Sequence, residues 1–224
     1  MENETGVDQD SAERHYNQAI RLGNAGDMKG ALMQFIESIS IDPEQAPVHY
    51  ALGMALEYLG DHVGAICHLE EALSIDPDLS AAHFDLAILL QDSGDREGAL
   101  SHFIITLNLD PENATAHQKL GKVLRELGDP AGATCHLRHA IRIDPDNFEA
   151  HFELGRILSN YGDMEEAKMH LMESLRIDPE SVWAHYSLAF ALKGLGDQDA
   201  KLFLQESLEI GQDYSLVYYK AAQL

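Results

Sequence analysis

The stretch APVHYALGMALEYLGDHVGAICHLEEALSIDPDL, residues 46–79, decides the fold. His49, Leu52, Gly53 and Leu56 fall at i, i+3, i+4 and i+7, one face of a helix. Gly60-Asp61 ends that helix: Gly suits the positive φ of a helix end, and Asp can cap the next start. Ala65, Leu69, Ala72 and Leu73 then share one face of a second helix. Asp76-Pro77 forces an extended step, because proline pushes the residue before it out of the helical region. The stretch therefore reads as a helical hairpin, with the small Gly53 where the two helices cross.

The same unit recurs along the chain. Gly-Asp stands at Gly26-Asp27, Gly60-Asp61, Gly94-Asp95, Gly128-Asp129, Gly162-Asp163 and Gly196-Asp197, always 34 residues apart. Asp-Pro keeps the same step at Asp42-Pro43, Asp76-Pro77, Asp110-Pro111, Asp144-Pro145 and Asp178-Pro179. A fixed period in this range means that one small unit is copied, each copy burying surface against its neighbours.

The hairpin resembles the tetratricopeptide repeat. That family's unit carries an aromatic, Leu-Gly and an aromatic in its first helix. Its second helix carries Ala, an aromatic, a small residue and a closing Pro. Here the second unit reads His49, Leu52-Gly53, Leu56, Ala65, Leu69, Ala72, Pro77. The fourth reads His117, Leu120-Gly121, Leu124, Ala133, Leu137, Ala140, Pro145, and the fifth His151, Leu154-Gly155, Leu158, Ala167, Leu171, Ser174, Pro179. The third has Ala87 in place of the Gly, and all six units open on His. The first unit is degenerate, with Gln18-Ala19, and in the sixth Ala200 comes one position early with no closing Pro.

The resemblance implies an all-α fold, a right-handed α-solenoid of six tandem helix-turn-helix repeats plus a C-terminal capping helix. The expected divisions are a polar tail over 1–11, repeats over 12–45, 46–79, 80–113, 114–147, 148–181 and 182–212, and the cap over 213–224. The cap is rich in aromatics, and Tyr214, Val217 and Tyr218 make it a second candidate docking surface.

Composition narrows the function. The net charge is -23 with His counted neutral. That disfavours nucleic acid, whose phosphates require Lys and Arg, and anionic membrane surfaces. No apolar run approaches the roughly 20 residues of a membrane span. The polar, acidic start is not a signal peptide. Cys67 and Cys135 stand two periods apart, too far in a stack for a disulfide, which fits a reducing cytoplasm. Charge is also uneven: Gly30 to Gln118 holds one basic residue, Arg96, against fifteen carboxylates. Lys119, Lys122, Arg125, Arg138, Arg142 and Arg156 then follow.

The packing stripe of each first helix faces its own hairpin, so the next stripe round is the candidate binding surface. It holds Tyr16 and Ile20, then Tyr50, Met54 and Tyr58, then Phe84 and Ile88. The fourth unit replaces these with Gln118, Lys122 and Arg125. Phe152 and Arg156, then Tyr186 and Phe190, complete the series. The resemblance places these residues in a concave groove that binds a protein or peptide segment with apolar anchors. An acidic group on that segment would meet Lys122, Arg125 and Arg156. Some family members grip a C-terminal carboxylate with Lys, Asn and Arg; the corresponding places here hold Tyr16, Ile20, Ala51, Ala81 and Asp85, so that clamp is missing.

Two histidine ladders run at the same step: His15, His49, His83, His117, His151 and His185 in first helices, and His68, His102, His136 and His170 in second helices. Rungs of one ladder stand a hairpin apart, too far to share a metal with bonds of about 2.0–2.1 Å. They are expected to fill the interhelical seam. Gly121-Lys122 is followed by Val123 within a helix, so it is no phosphate loop. Cys67-His68 and Cys135-His136 are helix neighbours that point about 100° apart. The chain is thus expected to be non-catalytic, without metal or cofactor: an adaptor, scaffold or assembly factor. A structural scaffold assembling through its terminal units, or a regulatory subunit of an enzyme on another chain, is the alternative.

Overall fold

The computed structural model of the chain describes residues 2–211, with side chains from residue 10 onward. The capping helix expected over 213–224, with Tyr214, Val217 and Tyr218, lies outside the described residues. The fold is all-α: the described residues form twelve helices and no strand. They fall into two compact units, Met1–Pro111 and Glu112–Leu224.

The first unit holds α1 (Glu2–Asn24), α2 (Met28–Ile41), α3 (Ala46–Tyr58), α4 (His62–Ile75), α5 (Ser80–Ser93) and α6 (Arg96–Leu109). The second holds α7 (Ala114–Glu126), α8 (Pro130–Ile143), α9 (Phe148–Tyr161), α10 (Met164–Ile177), α11 (Val182–Gly194) and α12 (Ala200–Ile210). Consecutive helices pair as hairpins, three in each unit. Within the first unit α2 also packs on α3 and α4 on α5; within the second, α8 packs on α9 and α10 on α11.

The recurrent dipeptides build the joints. The six Gly of Gly-Asp have φ between +71° and +93°, where a side chain would be strained. The Asp that follows then caps the next helix. Asp27, Asp61, Asp95 and Asp129 each accept a bond at 2.9 Å from the backbone N–H three residues on. Asp163 stands at the same place without that bond. At the other joint, the Asp of Asp-Pro is extended and its N–H closes the helix before it.

One correlation sets how the hairpins close. In the five full-length repeats the crossing residue is Ala19, Gly53, Ala87, Gly121 and Gly155, and the second-helix residue opposite is Phe35, Leu69, Phe103, Leu137 and Leu171. Ala goes with Phe, and Gly goes with Leu. A Cβ added at Gly53, Gly121 or Gly155 would stand 3.1, 2.7 or 2.6 Å from the Leu Cγ. The backbone carbonyl oxygens of Ala65, Ala133 and Ala167 lie 3.2–3.3 Å away on the same side. Ala19 and Ala87 are fully buried, and the side chain opposite each is a planar ring, Phe35 or Phe103, in place of the tetrahedral Leu branch.

Two details depart from the sequence reading. Helix α1 starts at Glu2, so residues read as a polar tail continue it. In the sixth hairpin α12 has 11 residues where α2, α4, α6, α8 and α10 have 14. Asp197 Oδ1 accepts from the N–H of Asp199 at 3.1 Å, tightening the turn, and Phe203 still reaches the core.

Candidate functional site

In the first unit, the apolar stripe converges. Ile20, Tyr50, Met54 and Tyr58 line an open groove of about 640 Å³, together with Met28 and Glu57. Ile20 is 38% and Tyr58 73% exposed, so apolar surface stands open along the groove. The Tyr50 hydroxyl donates to Asp85 Oδ2 at 2.8 Å, tying α3 to α5 beside the groove. Burial, then the bond to Asp85 and its charge, push the Tyr50 phenol far above its ordinary range. Burial likewise raises the Asp85 carboxyl, partly offset by the Tyr50 bond.

Not every predicted residue faces this groove. The rings of Tyr16 and Phe84 turn onto Phe35 and Phe103 of their own hairpins, with centroids 6.0 and 5.9 Å apart. These are the two repeats whose crossing partner is Phe, so the first-helix ring finds an aromatic edge inside its hairpin. Ile88 is half-buried on α5 and does not line the groove.

In the second unit, Phe152, Arg156, Tyr186 and Phe190 line a cavity of about 430 Å³ with Trp183 and Asn160. The Arg156 guanidinium lies over the Phe152 ring, 5.3 Å from its centroid. Trp183 meets Tyr186 edge-on at 6.3 Å, and Phe148 stacks on Phe152 at 5.8 Å. Trp183 was legible as a neighbour of Tyr186, three residues earlier on the same helix face.

The basic patch differs from the sequence expectation. Arg125 Nε lies 2.9 Å from Glu153 Oε2, and Arg156 donates to Glu153 Oε1 at 3.2 Å. Glu153 is buried between them, so one carboxylate neutralises part of two guanidinium charges. A free triad of cations awaiting an acidic group is therefore not what the fold builds. Lys122 and Arg125 do not line the cavity, and Gln118 is buried. The sequence signal for Glu153 was its place three residues before Arg156 on α9.

The histidine ladders meet each other. His49 and His68 bring their Nδ1 atoms to 3.1 Å; His83 and His102 to 2.8 Å; His117 and His136, and His151 and His170, to 3.0 Å. Nε2 of His49, His83 and His151 lies 3.0, 3.0 and 3.2 Å from the carbonyl oxygens of Pro43, Pro77 and Pro145. A carbonyl accepts only, so each of these three rings carries its proton on Nε2. Its Nδ1 then accepts, and the outer ring of the pair donates. Burial, followed by the inner ring's charge, holds the outer rings His68, His102, His136 and His170 below the ordinary imidazole range.

Chemistry finds no matching constellation. Cys135 Sγ is 3.8 Å from His139 Nδ1, but that nitrogen bonds the Cys135 carbonyl oxygen at 2.9 Å. It donates there and cannot take the thiol proton. Among the described residues, no group of three or more His, Cys, Asp or Glu is arranged to hold a metal ion. No helix of the described residues is long and apolar enough to cross a membrane.

Comparison with known proteins agrees with this geometry. Three family models described as tetratricopeptide repeat match residues 56–123, 114–147 and 136–169. A comparison with curated proteins finds no match. Among solved structures, PilF of Pseudomonas aeruginosa superposes with a TM-score of 0.80 at 17% identity, covering 96% of this chain and 97% of that one. YrrB, described as a TPR protein with an unusual peptide-binding site, gives 0.73 at 22% identity over 85% of this chain and 98% of its own. MamA gives 0.69 at 23% identity, over 76% and 95%. At these identities the likeness is one of fold.

Proposed function

Because this chain belongs to the tetratricopeptide repeat family, we propose that it is a non-catalytic protein-interaction module, an adaptor, scaffold or assembly factor, holding a partner segment against its first helices. The observation that carries this reading is the pair of grooves built from the first-helix stripe. One is lined by Ile20, Met54 and Tyr58, the other by Phe152, Trp183, Tyr186 and Phe190. Each combines open apolar surface with large rings, the composition of interface centres. The peptide-binding site ascribed to YrrB, a protein of the same fold, lends support by analogy. A cytoplasmic location is part of the proposal, since Cys67 and Cys135 are both free thiols on exposed residues.

The test is affinity capture from the native source with wild type, Met54→Arg and Phe190→Arg. These replacements place a charge in a groove without touching the fully buried core. We expect at least one of the two to lose the partners recovered by wild type, since a lost anchor costs about 2 kcal/mol or more. Undiminished recovery by both variants would reject the grooves as the binding surface.

A further inference from the structure

The first-unit groove has a chemical polarity of its own. It is apolar along Ile20, Met28, Met54 and Tyr58, and no Lys or Arg lines it. Glu57, half-buried, lines it as well, and its carboxylate has no hydrogen bond or ion pair among the described residues. Behind Tyr50, one hydroxyl away, stands Asp85. From Gly30 to Asp95 the sequence holds no Lys or Arg; Arg21 and Lys29, on the two helices that border the groove, do not line it, and among the lining side chains only His62 can carry a positive charge. The second unit contrasts: there Arg125 and Arg156 both close on Glu153, so its buried carboxylate has cations of its own fold beside it.

We infer that the groove of the first unit receives a protein segment carrying a Lys or Arg flanked by apolar side chains, the cation docking at Glu57 and Asp85 while Ile20, Met54 and Tyr58 take the apolar anchors. This rests on the groove reading proposed above and adds the partner's charge to it. The electrostatics agree with the geometry. Burial raises the Glu57 carboxyl above its ordinary range, and the charges of Asp85 and Asp92 raise it further, against a lowering by His62. Half-buried carboxylates that repel one another are relieved by an arriving cation. Charge complementarity of this kind sets specificity and encounter rate. A long aliphatic stem suits the site too, since Lys and Arg lay their methylenes along apolar surface while the charged head reaches the carboxylates.

The experiment is selection of a random dodecapeptide phage library on the intact chain, counter-selected on Met54→Arg. Selected clones are then measured by fluorescence anisotropy as synthetic peptides against wild type and Glu57→Gln. The Glu57 carboxylate makes no hydrogen bond or ion pair among the described residues, so Glu57→Gln is expected to keep the fold, checked by its melting temperature. The inference expects clones with Lys or Arg between apolar residues, and affinity for them reduced roughly tenfold by Glu57→Gln. Groove-dependent clones that are neutral or acidic, or basic clones indifferent to Glu57→Gln, would overturn the inference and leave the groove standing. A library that yields no clone sensitive to Met54→Arg would overturn this groove as a binding surface along with it.

Discussion

Acidification between about pH 7 and pH 5 is expected to lower the melting temperature of this protein. The cause is the four histidine pairs. Each outer ring, His68, His102, His136 and His170, is held below the ordinary imidazole range, mainly by burial. Below about pH 6.5 the unfolded chain therefore takes up protons that the folded chain refuses, so stability falls with pH. The contribution is complete above that value and is lost as pH drops toward the folded-state range. Nearby charges modulate each rung. Asp61 and Glu71 oppose the shift at His68, Asp95 at His102, Asp129 at His136 and Glu166 at His170; His139 and Arg138 reinforce it at His136 and His170.

Glu57 and Asp85 carry the opposite sign. Their raised carboxyls bind protons more readily in the folded chain, so acidification returns some stability at lower pH, in the carboxylate range. Thermal melts followed by circular dichroism across this range measure the net effect. Each kcal/mol lost lowers the midpoint by about 2–4 °C in a chain of this size. The control is replacement of all four outer histidines by Gln, which should flatten the profile. The fold itself supplies the precedent, since Gln34 occupies that place in the first repeat and bonds His15 Nδ1 at 2.8 Å. A wild-type melting temperature constant from pH 7 to pH 5 would contradict the account.

Gly155→Ala is expected to destabilise the second unit, although Ala favours a helix over Gly by about 1 kcal/mol. The new Cβ would stand 2.6 Å from Leu171 Cγ, 3.0 Å from its Cδ2 and 3.3 Å from the Ala167 carbonyl oxygen. The side chain can move only into a fully buried core, and the carbonyl belongs to helix backbone. Overpacking of this kind costs about 1–3 kcal/mol, which outweighs the propensity gain. The pairing of Ala with Phe in the first and third repeats gives a sharper form. In the double variant Gly155→Ala/Leu171→Phe the two changes should couple favourably, by about 0.5–3 kcal/mol relative to the sum of the singles. Urea unfolding of the four proteins measures this. Strict additivity would mean that the Ala–Phe and Gly–Leu pairings are coincidental.

These cases mark how far the sequence could be read. The joints were legible because Gly and Asp act locally: a positive φ and a three-residue cap need no knowledge of the rest of the fold. The hairpins followed from helical periodicity for the same reason. The grooves were legible only in part. Ile20, Tyr50, Met54 and Tyr58 converge as the stripe implied, as do Phe152, Arg156, Tyr186 and Phe190. Tyr16 and Phe84 do not, because their rings answer to Phe35 and Phe103 on another helix. The basic stretch was legible only in part for the same reason. Counting cations along one stripe could not reveal that Glu153 sits buried between Arg125 and Arg156. The histidine ladders were visible as repetition, but their meeting at Nδ1 is a property of two helices together.

The central claim is that partners engage the first-helix face. Photocrosslinking in the native source tests it most directly, with benzoylphenylalanine placed singly at Ile20, Tyr58 and Phe190, and on second helices at Val63 and Met169. All five positions are exposed and apolar, Val63 and Met169 at 81% and 64%, so general stickiness would label them alike. The account predicts discrete protein adducts from Ile20, Tyr58 or Phe190 and none from Val63 or Met169. Adducts confined to Val63 and Met169, or equal at all five, would contradict it.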